Sequence, residues 1–171
     1  MKILCMLRLQ KNKNHILIVL LMLIAAFSRL IPHPPNFTPL TSIALFGGIY
    51  MSNKTLSYLL PIIIMLLSDI FLGFSSISLF VYFSFIIISY IGIKSKKPSI
   101  LNIVLSSVVF FIVSNFGVWV LGYPKTWEGF IKCYTVAIPF FRNSLAGDLV
   151  YSGLMILSYN LSSKYLLRTT K

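Results

Sequence analysis

The chain has 171 residues, of which 57% are hydrophobic and 11% are charged, and its mean hydropathy is +0.89. A soluble domain of this length cannot bury so large an apolar fraction, so we expect one integral membrane domain spanning residues 1–171. The net charge of +12 would suit nucleic acid in a soluble protein. Because the cations lie mainly in connections and tails, they instead follow the positive-inside rule, and nucleic-acid binding is not expected.

Six apolar segments follow one another along the chain, and each is a candidate membrane span. They cover residues 15–31, 38–51, 56–74, 77–93, 100–122 and 144–167. Segment 38–51 is short, because a helix of that length reaches only about 21 Å against a hydrocarbon core of ~30 Å. The pattern predicts an all-α integral membrane protein, a six-helix transmembrane bundle with a short second span.

Three clusters of Lys and Arg indicate the orientation of these spans. They lie in the N-terminal tail, in the connection 94–99 and at the C-terminal end, and they are expected to share the cytoplasmic side. Six crossings achieve this with both termini inside, whereas leaving out segment 38–51 strands the 94–99 cluster outside. The basic N-terminal region followed by "AAFS" at 25–28 also allows a cleaved signal peptide, but a retained first helix better fits a run that continues to residue 31.

The segment "PHPPNFTP", residues 32–39, connects the first two spans on the outer side by this topology. Prolines suit an extended chain with few N–H groups to satisfy, and non-helical backbone at membrane depth is tolerated where it is buried in protein or lines a wet cavity. We predict that this non-helical segment forms the wall of an outward-facing cavity, with Asn36 or Thr38 capping the second span. A rigid surface turn without a ligand is the alternative.

Several polar residues are predicted at the level of this segment, in the outer part of the bundle: Arg29, Asp69, Asn115, Arg142, Asn143 and Asp148. A charge near the middle of a bilayer costs about 2.5–3.5 kcal/mol, so these groups must face partners or water. In one interpretation, the two arginines neutralise the two aspartates and only hold helices together. In the other, the set binds a solute, with Arg142 as the contact for an anion or as a counter-charge. The remaining binding residues are then Asn36, Thr38, Asp69, Asn115, Asn143 and Asp148.

Trp119, Tyr123 and Trp127 cluster at the predicted outer end of the fifth span. Such residues often form an interfacial belt, and those outside the belt can stack on a planar ligand or cover it. Pro124 and Pro139 bracket the connection that follows, which predicts a lid over the site rather than a helix.

Further features concern partners and chemistry. Ala44 and Gly48 give the second span a small face, which serves packing inside the bundle or docking of another membrane subunit. Cys5 and Cys133 are predicted on opposite faces, so no disulfide is expected. The chain shows no phosphate-binding glycine loop, no metal-ligand spacing and no serine–histidine–acid order, so neither an enzyme nor a cofactor is expected.

Three stretches carry a family resemblance: "RLIPHPPNFTPLTSIALFGG" at 29–48, "LLSDIFLG" at 66–73 and residues 114–151. They resemble an uncharacterised family of small bacterial inner-membrane proteins, which implies that location. In size, number of spans and first outer connection, the chain also resembles the substrate-binding (S) components of energy-coupling factor transporters. That resemblance implies a vitamin, a metal ion or a related micronutrient bound near the outer side, and as partners a transmembrane coupling subunit and ATPase subunits.

These features together predict a membrane component that binds a small solute for uptake. Its energy is expected to come from partner subunits, because the chain carries no recognised nucleotide-binding loop. Two alternatives remain: a structural or assembly subunit without a ligand, and a proton-coupled carrier that uses Asp69 or Asp148.

Overall fold

The computed structural model describes residues 2–95 and 97–168, with side chains from 15 to 95 and from 97 to 164. Within these ranges the chain forms six α-helices, one 3₁₀ turn and no strand, which confirms the all-helical prediction. The helices are α1 Lys2–Phe27, α2 Leu40–Tyr50, α3 Lys54–Leu72, α4 Ser78–Ser95, α5 Ile100–Gly122 and α6 Trp127–Arg168, and the 3₁₀ turn Ser28–Leu30 follows α1. The Cys5 thiol and most of the predicted basic clusters lie outside the described side chains.

The surface of the bundle is apolar along its sides. Helices α3, α4 and α5 are each long and apolar enough to cross a membrane, and α2 and residues 15–30 form shorter apolar helices. Large apolar side chains are left exposed on these helices, among them Leu79, Ile100 and Leu101, each more than 70% exposed. Because water does not favour such a surface and lipid does, the chain is a membrane protein.

Helix α2 lies at the centre of the bundle and contacts all five other helices. Every residue from Thr41 to Gly48 is buried. Gly48 crosses Gly92 of α4 so closely that a Cβ atom on Gly48 would lie 2.4 Å from the Ser89 carbonyl oxygen. The small face of Ala44 and Gly48 therefore serves packing inside the bundle, as one of the two interpretations predicted.

Helix α6 begins at Trp127, so the prediction of a non-helical lid between Pro124 and Pro139 was wrong. The helix continues through Pro139, and its first part packs along α5. The Phe130 ring lies 5.5 Å from Trp119, and the Tyr134 ring lies 5.8 Å from Phe111. These aromatic contacts stabilise a helix that the proline alone would disfavour.

The connections divide between the two ends of the bundle. Residues 31–39, 73–77 and 123–126 lie at one end, which we call the proline-loop end, and residues 51–53 and 97–99 lie at the opposite end. His15 Nε2 is 2.7 Å from Ser52 Oγ, so residue 15 of α1 is level with the opposite end. Asn53 and Ser99 begin α3 and α5 there as caps, because each side chain accepts a backbone N–H of the following turn.

Candidate functional site

A cavity of about 320 Å³ opens at the proline-loop end of the bundle. It exists because the central helix α2 is only 11 residues long and at ~1.5 Å per residue reaches about 16 Å, roughly half the thickness of a bilayer core. Leu40, the first residue of α2, lines the floor of the cavity. The polar side chains that line it come from the 3₁₀ turn, the loop 32–39, α3, the connection 73–77, α4, α5 and α6. They are Arg29, Asn36, Thr38, Asp69, Ser75, Ser78, Ser114, Asn115 and Ser144.

An ion pair forms one wall of the cavity. Arg29 Nη1 donates to Asp69 Oδ1 at 2.7 Å and to Ser68 Oγ at 2.6 Å. Tyr82 of α4 donates its hydroxyl to the other oxygen, Asp69 Oδ2, at 2.7 Å. The network joins the 3₁₀ turn, α3 and α4, and both charged groups are mostly buried, which makes the pairing important for stability.

The opposite wall is formed by α5, where Ser114 and Asn115 face the cavity. Ser114 Oγ donates to the Phe110 carbonyl at 2.7 Å, and Asn115 Nδ2 donates to the Phe111 carbonyl at 2.8 Å. Since a carbonyl partner requires a donor, the side-chain oxygens of both residues remain as acceptors. This wall can therefore receive hydrogen bonds from N–H or O–H groups of a bound molecule.

The loop 32–39 is fixed on α6 and directs Asn36 into the cavity. Asn143 Nδ2 donates to the Pro35 carbonyl at 3.0 Å, and a Cβ atom on Gly147 would lie 3.1 Å from the Thr38 nitrogen. Asn36 has φ 62°, a left-handed conformation that asparagine adopts more readily than most residues. Asn143 thus holds the loop in place and is not among the residues that line the cavity.

A second, smaller space of about 70 Å³ adjoins the cavity between α5 and α6. The two spaces share five residues: Asn36, Phe110, Ser114, Asn115 and Ser144. The residues that line only the smaller space are apolar: Phe111, Ala137, Phe140 and Phe141. We call it the side pocket.

Asp148 lies below the floor of the cavity and is 2% exposed. Its Oδ2 accepts the Ser107 hydroxyl at 2.7 Å, and the first turn of α2, at Thr41 and Ser42, lies against the same carboxyl group. A carboxyl group at a helix N-terminus supplies an acceptor for N–H groups that have no partner within the helix. Asp148 therefore caps α2 from another helix, whereas the predicted caps do not: the N-cap position is Pro39, with no side-chain cap bond.

The predicted depth of Asp148 in the bundle was wrong because helix α6 is longer at its N-terminal end than expected. Because α6 begins at Trp127 and not at residue 144, Asp148 lies far inside the helix. Its partner Ser107 lies about 10 Å from the start of α5 and about 22 Å from its end at ~1.5 Å per residue. Asp148 is therefore not level with Asp69, and it is not paired with Arg142.

Four of the predicted site residues lie in the same half of the bundle as the cavity but do not line it. Trp119 donates its indole N–H to the Pro124 carbonyl at 3.1 Å and packs on Phe130. Trp127 is 73% exposed, Tyr123 ends α5, and Arg142 is exposed on α6. These residues do not meet Asp69 and Asn115, because the helical start of α6 holds the aromatic cluster against the outside of α5.

Five polar residues of the cavity lining were not among the predicted binding residues: Arg29, Ser75, Ser78, Ser114 and Ser144. Tyr82, which donates to Asp69, was not predicted either. Tyr82 and Ser144 lie in apolar helices without any motif, so no signal pointed to them. Arg29 was considered only as a counter-charge for Asp69, a pairing that the structure confirms. Cys133 is a buried free thiol, and within the described residues no group of three His, Cys, Asp or Glu side chains could hold a metal ion.

Comparison with known proteins gives one family. A model described as "Family of unknown function (DUF6580)" matches residues 9–169. No curated protein and no solved structure gives a significant match.

Proposed function

The chain belongs to this family of unknown function, and from its cavity we propose that it binds a small polar solute as the solute-binding component of an uptake transporter. The observation that carries the proposal is a 320 Å³ space, lined by nine polar side chains, inside an apolar bundle. Buried polar groups without a purpose are costly in a membrane protein, and the volume lies at the lower end of small-molecule sites.

In this proposal all six helices cross the bilayer and the proline-loop end faces outward. Lys54, Lys94 and Lys97 lie at the opposite end, which supports a cytoplasmic location for that end. The loop 32–39 completes the path of the short helix α2 across the membrane. Non-helical backbone is acceptable there because it lines the cavity.

The proposal requires partner subunits. The sequence provides no recognised nucleotide-binding loop, so the solute would be released inward only when ATPase subunits act through a transmembrane coupling subunit. This arrangement is like that of the S components of energy-coupling factor transporters. The short central helix and the loop over the cavity support the comparison.

A structural subunit without a ligand is the second candidate function. It is favoured by the bonds that the two buried acids already make: Asp69 joins the 3₁₀ turn to α4, and Asp148 joins α6 to α2 and α5. In that case the cavity would contain only water.

Filling the cavity separates the two functions. Val118 lines the cavity, so Val118→Trp should block a solute without breaking the ion pair. Leu121, one turn further along α5, is 54% exposed, and Leu121→Trp is the matched control. Native mass spectrometry of protein purified in detergent should show a bound small molecule in the unchanged protein and in Leu121→Trp, but not in Val118→Trp.

Two results would contradict the solute-binding function. One is that no small molecule accompanies the unchanged protein. The other is that Val118→Trp retains the same molecule to the same extent as Leu121→Trp.

A further inference from the structure

We infer, on the basis of the proposed function, that the solute carries no net charge and has a polar end with N–H or O–H donors and a small apolar end. The inference comes from two neighbouring spaces, the cavity of about 320 Å³ and the side pocket of about 70 Å³, which share polar residues at their junction, while the far side of the side pocket is apolar. Asn36 and Asn115 lie at their junction.

The charge of the cavity lining points to a neutral solute. Its charged side chains are Arg29 and Asp69, one of each sign, joined at 2.7 Å. Both Asp69 oxygens are already occupied, one by Arg29 and the other by Tyr82. A charged solute would leave an uncompensated charge in a site of low dielectric, which costs several kcal/mol as an order of magnitude.

The hydrogen-bonding groups of the α5 wall indicate the chemistry of the polar end of the solute. Ser114 donates its one O–H to the backbone of α5, and Asn115 donates one of its two N–H groups there, while both side-chain oxygens are left as acceptors for the cavity. A solute that presents N–H or O–H groups to this wall satisfies both oxygens, whereas a solute with acceptors only leaves them unpaired. Amides, amines without net charge on the whole molecule, and hydroxylated rings meet this requirement.

The far side of the side pocket, away from the polar junction with the cavity, indicates the apolar end of the solute. The residues there, which line the side pocket and not the cavity, are Phe111, Ala137, Phe140 and Phe141. Aromatic rings provide a large apolar contact area, and about 70 Å³ has room for roughly two groups of the size of a water molecule. The pocket therefore accepts a methyl or ethyl substituent rather than a long acyl chain.

The predicted absence of net charge on the solute is tested with the compounds that the protein binds from a cell extract. Purified protein in detergent is incubated with a deproteinised small-molecule extract of the cells that produced it, washed and denatured. The released compounds are compared with those from Val118→Trp by mass spectrometry and by capillary electrophoresis at pH 7. The compound enriched on the unchanged protein should migrate with the neutral marker.

The outcomes distinguish this inference from the function on which it rests. An enriched compound that migrates as an anion or a cation overturns the inference and leaves solute binding intact. If no compound is enriched over Val118→Trp, solute binding itself fails, and the inference fails with it.

The side pocket is tested by filling it. Ala137→Phe should reduce retention of the enriched compound about tenfold or more, because the larger side chain occupies the space that the apolar end of the solute would fill. Val136→Phe is the matched control, since Val136 is the preceding residue and is 52% exposed. Ala137→Leu, a smaller change, should give an intermediate loss and shows that the effect follows the filled volume.

Equal retention by Ala137→Phe and Val136→Phe, both eluting as folded protein in size-exclusion chromatography, would rule out the apolar end. If Ala137→Phe elutes as aggregate, Ala137→Leu decides the question by the same comparison.

Discussion

Two buried acids show how single residues determine this bundle. Asp69 is paired with a cation, Arg29, and with the Tyr82 hydroxyl. Asp148 is surrounded by hydroxyl groups and by the first turn of α2. The first lies at the wall of the cavity and the second lies below its floor, so only Asp69 is placed to meet a solute.

At the residue scale, the cap at Asp148 predicts a loss of stability. Asp148→Leu leaves the Ser107 hydroxyl and the Ser42 N–H of α2 without this acceptor, and unsatisfied buried groups cost about 1–3 kcal/mol each. We expect a free energy of unfolding lower by about 2 kcal/mol or more, and a smaller loss for Asp148→Asn, which keeps an acceptor oxygen. Thermal unfolding in detergent measures both changes.

The matched control for this change is Leu149→Ala, because Leu149 is the next residue and is 40% exposed. If Asp148→Leu unfolds at the same temperature as Leu149→Ala, the carboxyl group does not cap α2.

Helix α2 is the element on which the cavity depends. A central helix that crossed the whole bilayer would fill the space that the loop and the cavity now occupy. Its position is fixed by the close crossing with α4, where a Cβ atom on Gly92 would lie 2.7 Å from the Leu45 carbonyl oxygen. The two backbones approach at this distance only because glycine carries no side chain.

At the element scale, adding one methyl group at this crossing should separate α2 from α4. Gly48→Ala would place Cβ 2.4 Å from the Ser89 carbonyl oxygen, a backbone atom that cannot turn aside. We expect a stability loss of about 1–3 kcal/mol, typical of overpacking, measured as a lower unfolding temperature in detergent.

Gly153→Ala on α6 is the control, because no atom lies within 4 Å of its added Cβ. Alanine at an open helical position should leave stability unchanged or raise it by up to ~1 kcal/mol. Equal behaviour of Gly48→Ala and Gly153→Ala would show that the crossing is looser than described.

For the whole molecule, the proposed orientation puts the cavity on the outer side of the membrane. Single cysteines are introduced at exposed positions in a Cys5→Ser and Cys133→Ala background. A maleimide that does not cross membranes should label His33→Cys and Lys125→Cys on spheroplasts, because these residues belong to the proline-loop end. Lys54→Cys and Lys97→Cys, at the opposite end, should react only after lysis.

If Lys97→Cys is labelled on intact spheroplasts, the proposed orientation is either inverted or based on a wrong number of membrane crossings. Labelling of Lys97→Cys as well as Lys125→Cys on intact spheroplasts would mean that α5, which lies between them, does not cross the membrane. Either result would require another account of how a solute reaches the cavity.

The sequence by itself determined the helices and the membrane character, because hydropathy and turn chemistry act locally. Segments 38–51, 56–74, 77–93 and 100–122 lie close to α2, α3, α4 and α5. It also pointed to Asn36, Thr38, Asp69 and Asn115, since polar groups among apolar residues are conspicuous. The start of α6 was missed because its helix depends on aromatic packing against α5, which outweighs the effect of Pro139.

The tertiary structure decided which polar groups face one another. In a membrane helix both the lipid side and the protein side are apolar, so the sequence pattern does not reveal which face of α4 carries Tyr82 or which face of α6 carries Ser144. The depth of Asp148 likewise depended on where α6 begins. The short length of α2 was visible in the sequence, but the cavity above it follows only from the way the other helices and the loop pack around its end.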